Sequence, residues 1–183
     1  MAEQPAAHLN LGALHQARGD LERTIDGDIF KRGIFILLLD PLWMSFGFGE
    51  GIVLQVLYAI GASLCCMVLL RRFGIRSLLV MGVGILFFGE VLKGLAMWAG
   101  DGQRPGLLGT LLVTGGAVSK DIYVLYPMIP WLAYMILGWA CGKRMLRKDA
   151  FNPVRFFTMV GALSLIAFFT IRGFNKYGNM LLY

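Results

Sequence analysis

The chain has 183 residues, of which 57% are hydrophobic and 15% charged, with a formal charge of +6 and a mean hydropathy of +0.68. Soluble domains are roughly half apolar and about a quarter charged, so lipid rather than water is the expected solvent for most of this chain. The cations lie beside apolar runs instead of along a polar helix face, which counts against nucleic acid and marks them as membrane topology signals.

Residues 1–32 mix both signs of charge and lack the apolar core of a secretory signal. They read as a polar cytoplasmic tail or surface helix. Five apolar segments follow: Gly33–Phe48, Ile52–Leu70, Ser77–Trp98, about Tyr123–Gly142, and Val154–Ile171. A crossing helix needs about 20 residues, and the short first segment can still span by local thinning or snorkelling of Lys31 and Arg32. The prediction for 33–183 is an all-α membrane bundle of about five transmembrane helices. With the N-terminus inside, only Lys93, Arg104, Lys120, Arg172 and Lys176 of the 17 cations fall outside, as the positive-inside rule requires. The long outer connection, 99–122, opens with the turn sequence "GDGQRPG" and continues with "LLGTLLVTGGAV", too short to span. It reads as a re-entrant loop, an interfacial helix or a plain surface connector. Cys65, Cys66 and Cys141 have no metal-ligand spacing and read as soft core residues; no metal is expected.

Chemistry in such a chain is sought where polarity is expensive. Asp40 lies about 10 Å into the first span, beside Pro41, which frees a backbone carbonyl. It reads either as a proton or substrate contact or as a structural partner for a cation on a neighbouring helix. Gln55, at the outer end of the second span, is either helix–helix glue or part of an outer polar group. Glu90 and Lys93 share a helix face, as an ion pair or as members of that group. Tyr126, Pro127, Pro130 and Trp131 open the fourth span at the outer boundary, and Arg172, Asn175 and Tyr177 follow the fifth on the same side. These residues are the substrate-binding candidates: the mouth of a polar cavity, or an aromatic belt at the headgroups. Gly138 and Gly142 form a small-xxx-small pair that permits close helix approach.

Four stretches carry a resemblance: "DIFKRGIFILLLDPLWMSFGF", "IVLQVLYAIGASLCCMVLL", "VLYPMIPWLAYMILGWACGK" and "RGFNKYGNMLLY". With Tyr126, Pro127, Pro130, Trp131 and Gly138 in the third of these, residues 17–183 resemble the bacterial relatives of heparan-alpha-glucosaminide N-acetyltransferase, a catalytic-domain-like family. The resemblance implies a multi-pass protein of the inner (plasma) membrane. It would move an acyl group from acetyl-CoA or another acyl donor to a sugar or glycan acceptor. Relatives are longer at both ends and carry a histidine held to be catalytic; here the only histidines are His8 and His15, in the polar tail. "GEVLKG" stands where many relatives have a histidine–asparagine pair. The chain therefore looks truncated at both ends and short of the catalytic histidine helix, so no catalytic residue is assigned, with Asp40 or Glu90 as substitute bases. Two other classes remain open. One is a membrane transporter with Asp40, Glu90 and Lys93 as a relay, against which the lack of internal repeats counts. The other is a non-catalytic partner subunit.

Overall fold

A computed structural model describes residues 11–44, 46, 51–100, 104–147 and 152–174. These residues are mostly helical, and they divide into two compact units that meet at Cys141 and Gly142. In the first unit a single long helix, α1 (Leu11–Leu39), carries both the charged run and the first apolar run. Its exposed part is braced by an i,i+4 pair, Arg18 to Glu22 at 3.2 Å. At Asp40 the helix loosens into a wide π-type turn, Asp40–Met44. Pro41 sits inside that turn, has no amide to donate, and crowds the carbonyl one turn back.

The chain then forms β1 (Ile52–Leu54) and α2 (Val56–Leu70). α1 and α2 pack antiparallel and very closely. A Cβ built on Gly61 would lie 2.5 Å from the Leu37 nitrogen and 2.7 Å from the Gly33 carbonyl oxygen, and one on Gly33 would lie 2.8 Å from Cys65 Sγ. At the far end Asp26 takes Arg71 on one oxygen and Arg72, at 2.7 Å, on the other. The hydrogen bond from Arg71, then that from Arg72, holds the Asp26 carboxyl below the ordinary aspartate range.

The expected third span is broken. α3 (Ile75–Phe87) and α4 (Gly89–Trp98) meet at 66°, with the break at Phe88–Gly89, where glycine weakens helix propagation. The described part of the 99–122 connection folds as a short helical turn, α5 (Leu107–Gly109), that runs into a second π-type turn, Thr110–Thr114. Gly115 (φ 70°) and Gly116 (φ 110°) then reverse the chain in a left-handed conformation that favours glycine. This leads into β2 (Gly116–Ala117), followed by β3 (Ile122–Val124). β3 is central, parallel to β1 with Ile52 opposite Ile122 and antiparallel to β2. The sheet takes the first residues of the expected second and fourth spans, so α2 starts at Val56 and α6 (Met128–Met145) only after Pro127.

The core of the first unit has two parts. Met67, Leu78, Leu132, Ile136 and Ala140 join α2, α3 and α6. Tyr58, Ala59 and Val124 form a second cluster, packed on by Leu37, Leu54, Leu111, Val118 and Trp131. The close α3–α6 approach is at Gly82, whose Cβ would meet Leu137 Cγ at 2.7 Å. Gly138 and Gly142 do not serve the close approach expected of them, since a Cβ at either meets nothing within 4 Å.

The second unit is dominated by α7 (Pro153–Phe174). Asn152 accepts the Arg155 amide at 3.1 Å and Pro153 occupies the first helical position, a standard entry. Its side chains are largely exposed, including Leu163, Leu165, Ile166, Phe168 and Phe169. Among the described residues, 153–173 is the one helix long and apolar enough to cross a bilayer by itself; the bent α3–α4 pair is a second if it forms one broken span, and α2 is apolar but shorter.

Gly61→Ala forces a methyl group against backbone atoms that cannot move aside. It should lower stability by about 1–3 kcal/mol or more, while Gly138→Ala should be neutral or stabilising. Thermal unfolding of both variants in detergent checks this; equal melting temperatures would refute the α1–α2 packing.

Candidate polar site at the start of the second helix

Helix α2 begins inside the protein, and its first amides need acceptors. They find one in Asp40, fully buried at the end of α1. One carboxylate oxygen, Oδ2, accepts the backbone amides of both Gln55 and Tyr58, the latter at 3.0 Å. A carboxylate at a helix N-terminus gains from charge-assisted hydrogen bonds and from the helix dipole. The partner of Asp40 is thus a helix end, not the cation on a neighbouring helix that the sequence left open.

Tyr58 ties this point to the outer connection, its hydroxyl donating to the Leu111 carbonyl at 3.3 Å. Its ring is part of the cluster against which Trp131 packs. Trp131 meets Tyr126 edge to face, with centroids 5.6 Å apart, and Tyr134 at 6.3 Å. Trp131 is half-buried, whereas Tyr126 and Tyr134 are 38% and 60% exposed. Pro127 lies at the foot of this aromatic group, beside Gly115, and Pro130 is in the first turn of α6, where lost amides cost little.

Among the described residues, three buried side-chain atoms have no hydrogen-bond partner: Asp40 Oδ1, Gln55 Nε2 and Ser63 Oγ. An unpaired buried polar group costs about 1–3 kcal/mol. Two of the three belong to Asp40 and to the residue whose amide Asp40 holds.

Glu90 and Lys93 lie outside this hydrogen-bonded group. They pair with each other at 3.0 Å on α4, both about half-exposed; at that exposure the pair contributes little stability. Arg172 is in the last turn of α7, in the second unit. Asn175 and Tyr177 lie outside the described residues. The structure therefore joins Asp40 to Gln55 and Trp131 to Tyr126. Tyr58 and Ser63 were missed in the sequence. Tyr58 follows Gln55 by three residues, the spacing of a helix's first capped amides, but its capping group comes from 18 residues upstream. No local motif announces that.

The chemistry on offer is an oriented carboxylate with one oxygen unpartnered, and an unpartnered side-chain amide on a residue whose backbone that carboxylate holds. Such a set suits a ligand with hydrogen-bonding hydroxyls or amines, and it is the kind of acceptor-and-donor pair that acyl transfer uses. Among the described residues no three histidine, cysteine or acidic side chains gather as a metal site. Arg71 and Arg72, cations at the far end of α2, are taken up by Asp26, so no phosphate cradle for an acyl carrier is visible there.

The family model for the heparan-alpha-glucosaminide N-acetyltransferase catalytic region matches residues 28–173. No curated protein and no solved structure matches the chain. The match covers most of the sequence, and the chain belongs to that family.

Asp40→Ala removes the acceptor for two amides and should cost about 2 kcal/mol, at the top of the range for losing a helix cap. Asp40→Asn keeps a side-chain oxygen in place and should cost clearly less. Thermal unfolding of the two variants in detergent decides, and equal losses would refute the capping role.

Proposed function

We propose that this member of the family is a multi-pass membrane protein that transfers an acyl group to a sugar or glycan acceptor. The donor is acetyl-CoA or another acyl donor, in keeping with the acetyltransferase family to which the chain belongs. What carries the reading for this chain is the buried Asp40, with Oδ1 unpartnered and Oδ2 holding the backbone of Gln55, whose own side-chain amide is buried without a partner. Trp131 and Tyr126 add an aromatic face of the kind that stacks on a sugar ring. Asp40, Gln55, Tyr126, Pro127, Pro130 and Trp131 make the acceptor side of the site. Glu90, Lys93, Arg172, Asn175 and Tyr177 are kept as further substrate-binding candidates by residue type.

In this reading five segments cross the inner membrane with the N-terminus inside, and α3 with α4 is a broken third crossing. The cation distribution supports it, as does the apolar exposed surface of α7. Residues 1–32 stay on the inner side and 99–122 on the outer. Asp20→Cys and Lys120→Cys, in a background without Cys65, Cys66 and Cys141, should react with an impermeant maleimide from opposite sides of the membrane. Labelling of both from one side would overturn the topology.

A second reading keeps the same site but makes the chain a non-catalytic partner subunit, favoured by the confinement of both histidines to positions 8 and 15. Purified full chain in nanodiscs, supplied with radiolabelled acetyl-CoA and glucosamine, separates the two. Acetyl transfer above the uncatalysed rate supports the enzyme; its absence favours the partner subunit.

A further inference from the structure

Among the described residues, Asp40 is the one fully buried ionisable side chain, and it faces no cation in an ion pair. Its Oδ1 is buried and has no hydrogen-bond partner among the described residues. Oδ2 is held by two amides from different residues, so the orientation of the carboxyl group is set, and with it the direction of the free lone pairs on Oδ1. The residue that supplies one of those amides, Gln55, holds a second unpartnered buried atom, its donor Nε2. One acceptor and one donor, both buried, thus belong to two residues that meet at the start of a helix. A buried carboxylate there has little to share its charge with except the hydrogen of a bound N–H or O–H group.

We propose that Asp40 is the base of the transfer reaction, and that Gln55 binds oxygen at the same centre; this rests on the acyl-transfer reading above. Asp40 Oδ1 accepts the hydrogen of the acceptor's amine or hydroxyl. The lone pair so released forms the new bond to the carbonyl carbon of the acyl thioester. The carbon–sulfur bond breaks with its electrons on sulfur, and the proton held on Asp40 returns to the departing thiolate. Gln55 Nε2 donates to the carbonyl oxygen while it carries negative charge. No histidine is required, and the site needs only the residues that the structure brings together.

The experiment uses the full chain in nanodiscs with Asp40→Asn, which retains the α2 cap but cannot accept the proton. With acetyl-CoA as donor, glucosamine is compared with hydroxylamine, a nucleophile that attacks thioesters without a base, and uncatalysed rates are subtracted. General-base loss costs roughly 10²–10⁴-fold. The expected result is a fall of at least about 100-fold with glucosamine and less than about tenfold with hydroxylamine, with KM for acetyl-CoA unchanged. Equal falls with both acceptors would mean that Asp40 only holds the fold, which overturns the base role and leaves the acyl-transfer reading intact. A wild type inactive with both sinks that reading and the base role together. A readout without turnover is labelling by dicyclohexylcarbodiimide, followed by mass spectrometry of the wild type. Modification of Asp40 that glucosamine slows supports the site, and modification that glucosamine leaves unchanged overturns it.

Discussion

The first unit depends on one carboxylate bridging a break in the chain. Pro41 prevents α1 from continuing as a regular helix, and the next helix starts within the protein, where water cannot satisfy its first amides. Asp40 resolves both ends at once. It closes α1 and supplies the acceptor for the amides of Gln55 and Tyr58. Because the cap comes from the preceding helix, α2 can begin abruptly after a strand of three residues. The parallel partner of that strand, β3, then delivers the chain to α6.

The same helix pair is fixed at its other end by charge and in its middle by the absence of side chains. From Asp26 to Asp40 is about 21 Å of helix, and from Gln55 to Arg71 about 24 Å, at 1.5 Å per residue. The two lengths agree closely enough for both contacts to form in one antiparallel register. Gly33 and Gly61 let the backbones come near enough for Asp40 to reach over α2. Slippage by a turn would break the Asp26–Arg71 contact and the Asp40 cap together. The register is therefore specified by three separate interactions.

The sequence showed where helices would be apolar, and it marked Asp40–Pro41 as a polar point beside broken backbone. Those features are local: hydrophobic runs, a proline, a charge. It did not show the three-stranded sheet, whose strands are two or three residues long and lie inside apolar runs. In such runs alternation cannot be distinguished from helical periodicity. The 66° bend at Phe88 was hidden for a similar reason, since Gly89 is one of many glycines and only packing decides which of them break a helix. Gly138 and Gly142 carried the familiar spacing yet meet no neighbour, while Gly33 and Gly61, on different segments, make the contact. Small-residue contacts between helices depend on pairing that one strand of sequence does not contain. Tyr58 and Ser63 were overlooked because their importance comes from burial, not from residue type.

Asp26 and Asp40 sit at opposite ends of the same helix pair and show how environment divides one side chain into two roles. Both oxygens of Asp26 are taken by guanidinium groups, one of which is itself 63% exposed. Its charge is neutralised in place, and nothing is left over for a ligand. Among the described residues Asp40 meets no guanidinium; it is buried, and two backbone amides bond to a single one of its oxygens. An ionised group in that position is costly unless something else completes its coordination. The end of the helix pair that is electrically complete serves as the clamp. The end left incomplete, with Oδ1 unpartnered, is the one to which the proposed base role assigns the acceptor's N–H or O–H, and environment rather than residue type separates the two aspartates.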